Sequence, residues 1–192
     1  MLTKKSVLLP LFLLAALCAA GCSGAGSKAP AARQEGKTAV VYFSHSGNTQ
    51  KLAQIIAADT GADIYRILPV KAYPEDYREV VSQAKAELEN NSRPEIHMKL
   101  QDLGSYDNIF LGFPIWWHTM PMPVFTFLEK YDLSGKTIIP FATHEGSAFG
   151  RSLEDIRRAA PGARLLEGLE VRGSRVSASE KQVISWLHDC GF

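Results

Sequence analysis

From Lys37 onward, short apolar runs alternate with amphipathic stretches, the rhythm of buried strands and surface helices. Thr38–Phe43 (TAVVYF) is apolar at almost every position and predicts a strand buried on both faces. Thr49–Thr60 sets Leu52, Ile55 and Ile56 at helical spacing, and Gly61 follows as a C-terminal stop. Ala62–Leu68 predicts a second strand. Glu75–Asn90 predicts a helix with Tyr77, Val80, Val81, Ala84 and Leu88 on one face. Asn108–Phe113 (NIFLGF) and Lys136–Thr143 (KTIIPFAT) predict a third and fourth strand, separated by a short helix over Pro121–Tyr131 that carries Val124, Phe127 and Leu128. Ser152–Ala160 predicts a helix with Leu153 and Ile156 inward, and Leu165–Val171 a weaker fifth strand with Gly168 inside it. Ser177-x-x-Glu180 reads as a capping box opening a last helix, with Val183, Trp186 and Leu187 inward.

That is five βα units without internal repeats. Strands apolar on both faces imply a parallel sheet covered by helices on both sides, and right-handed crossovers make it an α/β three-layer, doubly wound sandwich. Ligands in such folds bind beyond the carboxyl ends of the strands, so the loops after strands one, three and four are the informative ones.

The amino end follows another pattern. Lys4 and Lys5 precede an uncharged run from Val7 to Ala20, interrupted only by Pro10. The run is short for a membrane span, which needs about 20 apolar residues, and fits the apolar region of a signal peptide over residues 1–21. Ala19-Ala20-Gly21-Cys22 resembles a bacterial lipobox, with Ala19 where Leu is usual. Lipidation of Cys22 is the expectation, and the alternative is an ordinary cleaved signal with Cys22 incidental. Residues 22–36 are small, polar and aperiodic, and read as a flexible tether ahead of a domain over 37–192. The expected location is therefore the cell envelope, exported and held at a membrane by a lipid anchor.

Loss of residues 1–21 removes two lysines and no acid, leaving 19 basic against 20 acidic side chains. That balance, with no basic stripe, speaks against a nucleic-acid partner. Of three cysteines, Cys18 would leave with the signal and Cys22 would carry lipid. Cys190 then remains, and is expected to be buried rather than reactive. No internal disulfide holds such a body, but about 155 residues suffice for a core burying roughly 68–70% of the unfolded surface.

The first informative loop is Ser44-His45-Ser46-Gly47-Asn48-Thr49, between strand one and helix one. A helix start offers N–H groups and the positive end of a dipole, and hydroxyls rotate to donate to phosphate oxygens. The spacing is neither G-x-x-x-x-G-K nor G-x-G-x-x-G. The bland alternative is a polar turn with a simple N-cap. Ser44-x-Ser46-x-x-Thr49 resembles the phosphate loop of flavodoxins. Gly112-Phe113-Pro114-Ile115-Trp116-Trp117-His118-Thr119-Met120-Pro121 resembles the G-[YF]-P-I-W-W-x-x-x-P segment of a bacterial flavodoxin-like family. Thr143-His144-Glu145-Gly146-Ser147-Ala148-Phe149-Gly150 matches that family's segment after strand four.

The resemblance implies a flavodoxin-like sheet of order 2-1-3-4-5, in the short form with an uninterrupted fifth strand, and FMN as cofactor. Its phosphate would lie on residues 44–49. Its ring would lie against Trp116 and Trp117, with its pyrimidine edge on the N–H groups of residues 115–117 and 145–147. Gly146 and Gly150 would permit close backbone approach. His118 and His144 are candidate donors to flavin or to a substrate carbonyl, and equally candidate structural residues. His45 would contribute its backbone. His97 and His188 have no motif around them, and Tyr73 and Tyr77 read as helix-start packing. The implied activity is electron transfer or reduction of a small acceptor such as a quinone, with no catalytic acid, base or nucleophile and no metal required. The redox partner is unspecified. The alternative is a binding module at the envelope that keeps the fold without redox coupling. A hydrolase lacks its G-x-S-x-G elbow.

Overall fold

The computed structural model describes residues 33–192. The expected signal peptide, Cys22 and the first part of the tether lie outside the described residues. The last tether residues are not loose: Gln34 donates its N–H to the Gly191 carbonyl, and the Glu35 carbonyl accepts from the Asn108 amide. The Lys37 N–H donates to the Asp107 carboxylate.

The chain runs β1 (Thr38–Tyr42), α1 (Asn48–Thr60), β2 (Asp63–Arg66), β3 (Leu68–Pro69), α2 (Tyr77–Glu89), β4 (Ile96–His97), β5 (Asn108–Pro114) and α3 (Met122–Lys130). It continues through β6 (Thr137–His144), α4 (Ser152–Ala159), β7 (Arg164–Leu165), β8 (Leu169–Arg172), a 3₁₀ turn (Gly173–Ala178) and α5 (Glu180–Cys190). The main sheet is parallel in the order β2-β1-β5-β6-β7, with β8 also on β6. This is the expected 2-1-3-4-5 arrangement. Alternation along the strands fills two cores. Ala39, Val41, Ile109, Leu111 and Phe113 face one side with Phe127 and Ile156, while Val40, Tyr42, Phe110 and Phe141 face the other with Leu52, Ile56, Val183 and Leu187. Cys190 is buried in the second core.

Three boundaries differ from the sequence reading, each for a physical reason. The expected fifth strand is broken into β7 and β8. Arg164 and Leu166 donate to the carbonyls of Lys136 and Ile138. Alternate residues of a strand face the same neighbour, so Pro140 faces the fifth strand with no N–H to give. Pairing lapses there and resumes with Leu169 opposite Phe141. The end of the expected second strand leaves the sheet as β3, which pairs antiparallel with β4. Ser177 is not the cap of α5, because the 3₁₀ turn runs on to Ser179 and Val183 donates to the Ser179 carbonyl. The Ser179 hydroxyl is spent on the Val176 carbonyl. Gly61 does end α1 in the left-handed conformation expected of it.

Candidate functional site

The carboxyl ends of β1, β5 and β6 open onto a cavity of about 830 Å³, closed on one side by α2. The loop after β1 forms its polar end. Gly47, at φ 90°, is the N-cap of α1, and no side chain caps this helix. The contrast with α2 is informative, since the Asp76 carboxylate accepts the N–H groups of Arg78 and Glu79 there. The opening N–H groups of α1 are left beside Ser46 and Asn48, which line the cavity. Among the described residues no lysine or arginine lines it, so an anion there would be held by backbone dipole and neutral donors.

Ser44 and Thr49 lie beneath this end rather than on it. The Ser44 hydroxyl accepts from the Gly47 N–H, its carbonyl accepts from Arg66, and Thr49 shares a 2.8 Å hydroxyl–hydroxyl bond with Thr143. Both are buried, and these contacts brace the loop.

The loop after β5 is a two-residue turn. Trp116 and Thr119 exchange N–H···O bonds of 2.8 and 3.0 Å, and the residues between them, Trp117 and His118, have φ of 48° and 64°. Such turns favour Asn and Gly, because a side chain at positive φ is strained by about 1–3 kcal/mol. The strained pair is clamped from α4. Arg151 donates its N–H to the His118 carbonyl at 2.9 Å, and the buried Thr119 hydroxyl donates to Asp155 at 2.5 Å. Asp155 is itself only 2% exposed and is paired with Arg151 and Arg158. A Cβ on Gly150 would stand 2.2 Å from the His118 carbonyl oxygen, so only glycine lets the two loops meet.

This turn separates the two tryptophans. Trp116 packs edge-on against Phe43, Tyr73 and His45, with centroids 5.5, 5.0 and 5.9 Å away. Tyr73 donates to Glu87, and burial, reinforced by that carboxylate, holds its phenol far above the ordinary tyrosine range. Trp117 is 42% exposed and reaches over to α2, where its indole N–H donates to the Val81 carbonyl at 3.1 Å. Trp116 thus forms a packed floor and Trp117 a side wall.

In the loop after β6, the Gly146 and Ala148 N–H groups donate to His144 Nδ1 at 2.9 and 3.2 Å, and His144 Nε2 meets Glu170. Both ring nitrogens are engaged by the protein. His118 is exposed at the cavity rim. The N–H groups of residues 115–117 and 145–147 are only partly open. Ile115 donates to Thr143, Trp116 to Thr119 and Gly146 to His144. Among the described residues, the N–H groups of Trp117, Glu145 and Ser147 carry no such bond.

Of the expected site residues, His45, Ser46, Asn48, Pro114, Ile115, Trp116, Trp117, His118, Thr143, His144, Glu145 and Ser147 line the cavity. Ser44, Gly47, Thr49, Gly146 and Gly150 lie behind it, shaping the loops. Sequence reasoning missed the α2 wall of Tyr77, Val80, Val81 and Ala84, and also Glu75 just ahead of α2 and Gly173. Tyr77, read as packing, is 79% exposed. A Cβ on Gly173 would stand 2.4 Å from the Glu145 carboxylate and 2.8 Å from the Asn48 amide, which places Glu145 toward the polar end. No cluster able to hold a metal ion occurs among the described residues.

The flavodoxin family model matches residues 37–190. The chain belongs to the flavodoxin family. As a flavodoxin it resembles two solved structures provisionally assigned as flavoproteins. One, from Bacteroides eggerthii DSM 20697, is 34% identical at a TM-score of 0.70, over 80% of this chain and 96% of that one. The other, from Bacteroides uniformis ATCC 8492, is 35% identical at 0.71, over 80% and 99%. A flavoprotein from Lactobacillus acidophilus NCFM, solved in complex with FMN, shares the flavodoxin fold at 24% identity and a TM-score of 0.64, over 75% and 98%. The search of curated proteins found no match.

Proposed function

We propose that this flavodoxin binds FMN in the cavity and uses it for electron transfer or for reduction of a small acceptor such as a quinone. The observation that carries the reading is the uncapped start of α1 beside an aromatic cavity that no lysine or arginine among the described residues lines. A terminal phosphate suits that end. The N–H groups of α1, the Ser46 hydroxyl and the Asn48 amide would hold it. Trp116, Trp117 and the α2 residues would flank the flat ring, and the N–H groups of Glu145 and Ser147 would serve its polar edge. The FMN complex of the same-fold Lactobacillus flavoprotein supports the choice of cofactor. Bound FMN supplies the redox chemistry, and the chain supplies position and electrostatics.

In this reading the protein works at the cell envelope, tethered through a lipid on Cys22. That part rests on the signal-like run and lipobox-like segment of the sequence alone. The deciding experiment is an absorption spectrum of purified protein incubated with FMN and desalted. Flavin bands that stay with the protein and bleach with dithionite support the proposal; FMN lost entirely in the flow-through overturns it. For the anchor, Cys22→Ser should abolish incorporation of labelled palmitate, and equal labelling of mutant and wild type would refute it.

A further inference from the structure

His144 ends β6, and Glu170 lies on the neighbouring strand β8, opposite Ala142 in the register and therefore diagonal to His144. The two side chains meet although one is 8% and the other 44% exposed. Backbone N–H groups can only donate, so Nδ1, which faces those of Gly146 and Ala148, must carry a lone pair. The ring proton then sits on Nε2 and is donated to Glu170. One neutral tautomer satisfies all three contacts. The segment that it ties down includes two left-handed residues, Gly146 at φ 138° and Ala148 at φ 48°, so the loop does not hold this shape by local preference.

We propose that His144 is a positioning residue, a neutral latch whose Nδ1 holds the Glu145–Ala148 loop so that the Glu145 and Ser147 N–H groups face the cavity, with Glu170 fixing the ring through Nε2. The consequence for cofactor binding rests on the FMN reading above; the latch itself does not. A proton added at Nδ1 removes the acceptor and sets N–H against N–H. Acidification therefore opens the loop and weakens its hold on the polar edge of the ring. The Glu170 carboxylate on β8 meets Nε2. Arg172, also on β8, lies close to Gly146, and the two N–H groups face Nδ1. His45 and His118 also line the cavity, so the effect must be read as a difference between proteins.

Asparagine separates the latch from other roles, because its side-chain oxygen falls near the position of Nδ1 and accepts the same N–H groups without titrating. In protein without cofactor, amide hydrogen exchange at Gly146 and Ala148 should be slow in the wild type and in His144→Asn, and fast in His144→Ala. Equal exchange in wild type and His144→Ala overturns the latch, whatever the protein binds. In titrations at neutral pH, His144→Ala should weaken FMN and riboflavin by the same factor, roughly tenfold for two lost hydrogen bonds. His144→Asn should weaken neither by more than about threefold, and should lose the fall in FMN affinity that the wild type shows on acidification. Weakening of FMN but not riboflavin by His144→Ala, or an unchanged acid response in His144→Asn, would refute the positioning role while leaving FMN binding intact.

Discussion

The loop after β1 places a glycine where its backbone turns left-handed; the loop after β5 places a tryptophan and a histidine there. The first loop leaves its N–H groups open at the start of α1. The second spends those of Trp116 and Thr119 on its own turn and borrows Arg151 and Asp155 from α4 to hold its shape. One is a relaxed loop with unused donors, the other a strained loop that spends two of its donors on its own turn. The difference tells what each offers a ligand. Open dipoles suit a charge that arrives with the ligand, whereas a rigid clamp suits a flat apolar surface that must be kept in place.

The strongest way to break the contrast is to remove the clamp. Gly150→Ala brings a methyl group onto the His118 carbonyl and adds left-handed strain. We expect a loss of about 3 kcal/mol in urea denaturation. A loss below about 1 kcal/mol would show that the turn keeps its shape unaided. On the open side, Ser46→Ala removes a donor to the phosphate alone. FMN should weaken by about 1.5–3 kcal/mol while riboflavin is untouched, as measured by fluorescence quenching. Equal weakening of both ligands would take the phosphate away from α1.

Two smaller effects compare the strain directly. Nothing lies within 4 Å of a Cβ on Gly47, so Gly47→Ala should cost only the conformational penalty of about 1 kcal/mol. A larger loss would reveal a hidden contact. His118→Gly should do the reverse and raise stability by less than about 1 kcal/mol, since relief of strain is partly offset by the freer unfolded chain. A fall in the melting temperature of this variant would mean that the imidazole packs more than its exposure suggests.

The sequence makes the sheet order legible because strands with both faces buried have few alternatives: TAVVYF, NIFLGF and KTIIPFAT become the three central strands. The fifth strand was harder, because its fate depends on Pro140 in another strand, and cross-strand pairing leaves no mark within residues 165–171 themselves. The loops' locations follow from their position after strands. What each side chain does there does not follow. Thr49 and Ser46 look equivalent in S-H-S-G-N-T, yet helix geometry turns one inward onto Thr143 and leaves the other on the cavity. Similarly, His118 and His144 are both loop histidines, and only the β6–β8 register gives one of them Glu170. The α2 wall was missed because amphipathicity locates the buried face of a helix, not the edge that borders a cavity.

The amino-terminal stitches at Gln34, Glu35 and Lys37 fix an orientation. They fasten the chain where β1 begins, and the cavity opens where β1 ends, five residues and about 16 Å further on. A bead or a fused domain joined directly ahead of Gln34 would hold the opposite pole. The mouth then points away from the attachment. A partner reaching the cavity meets the molecule from its outward face, and an electrode coated through an amino-terminal tag would present a monolayer with its openings toward the solution.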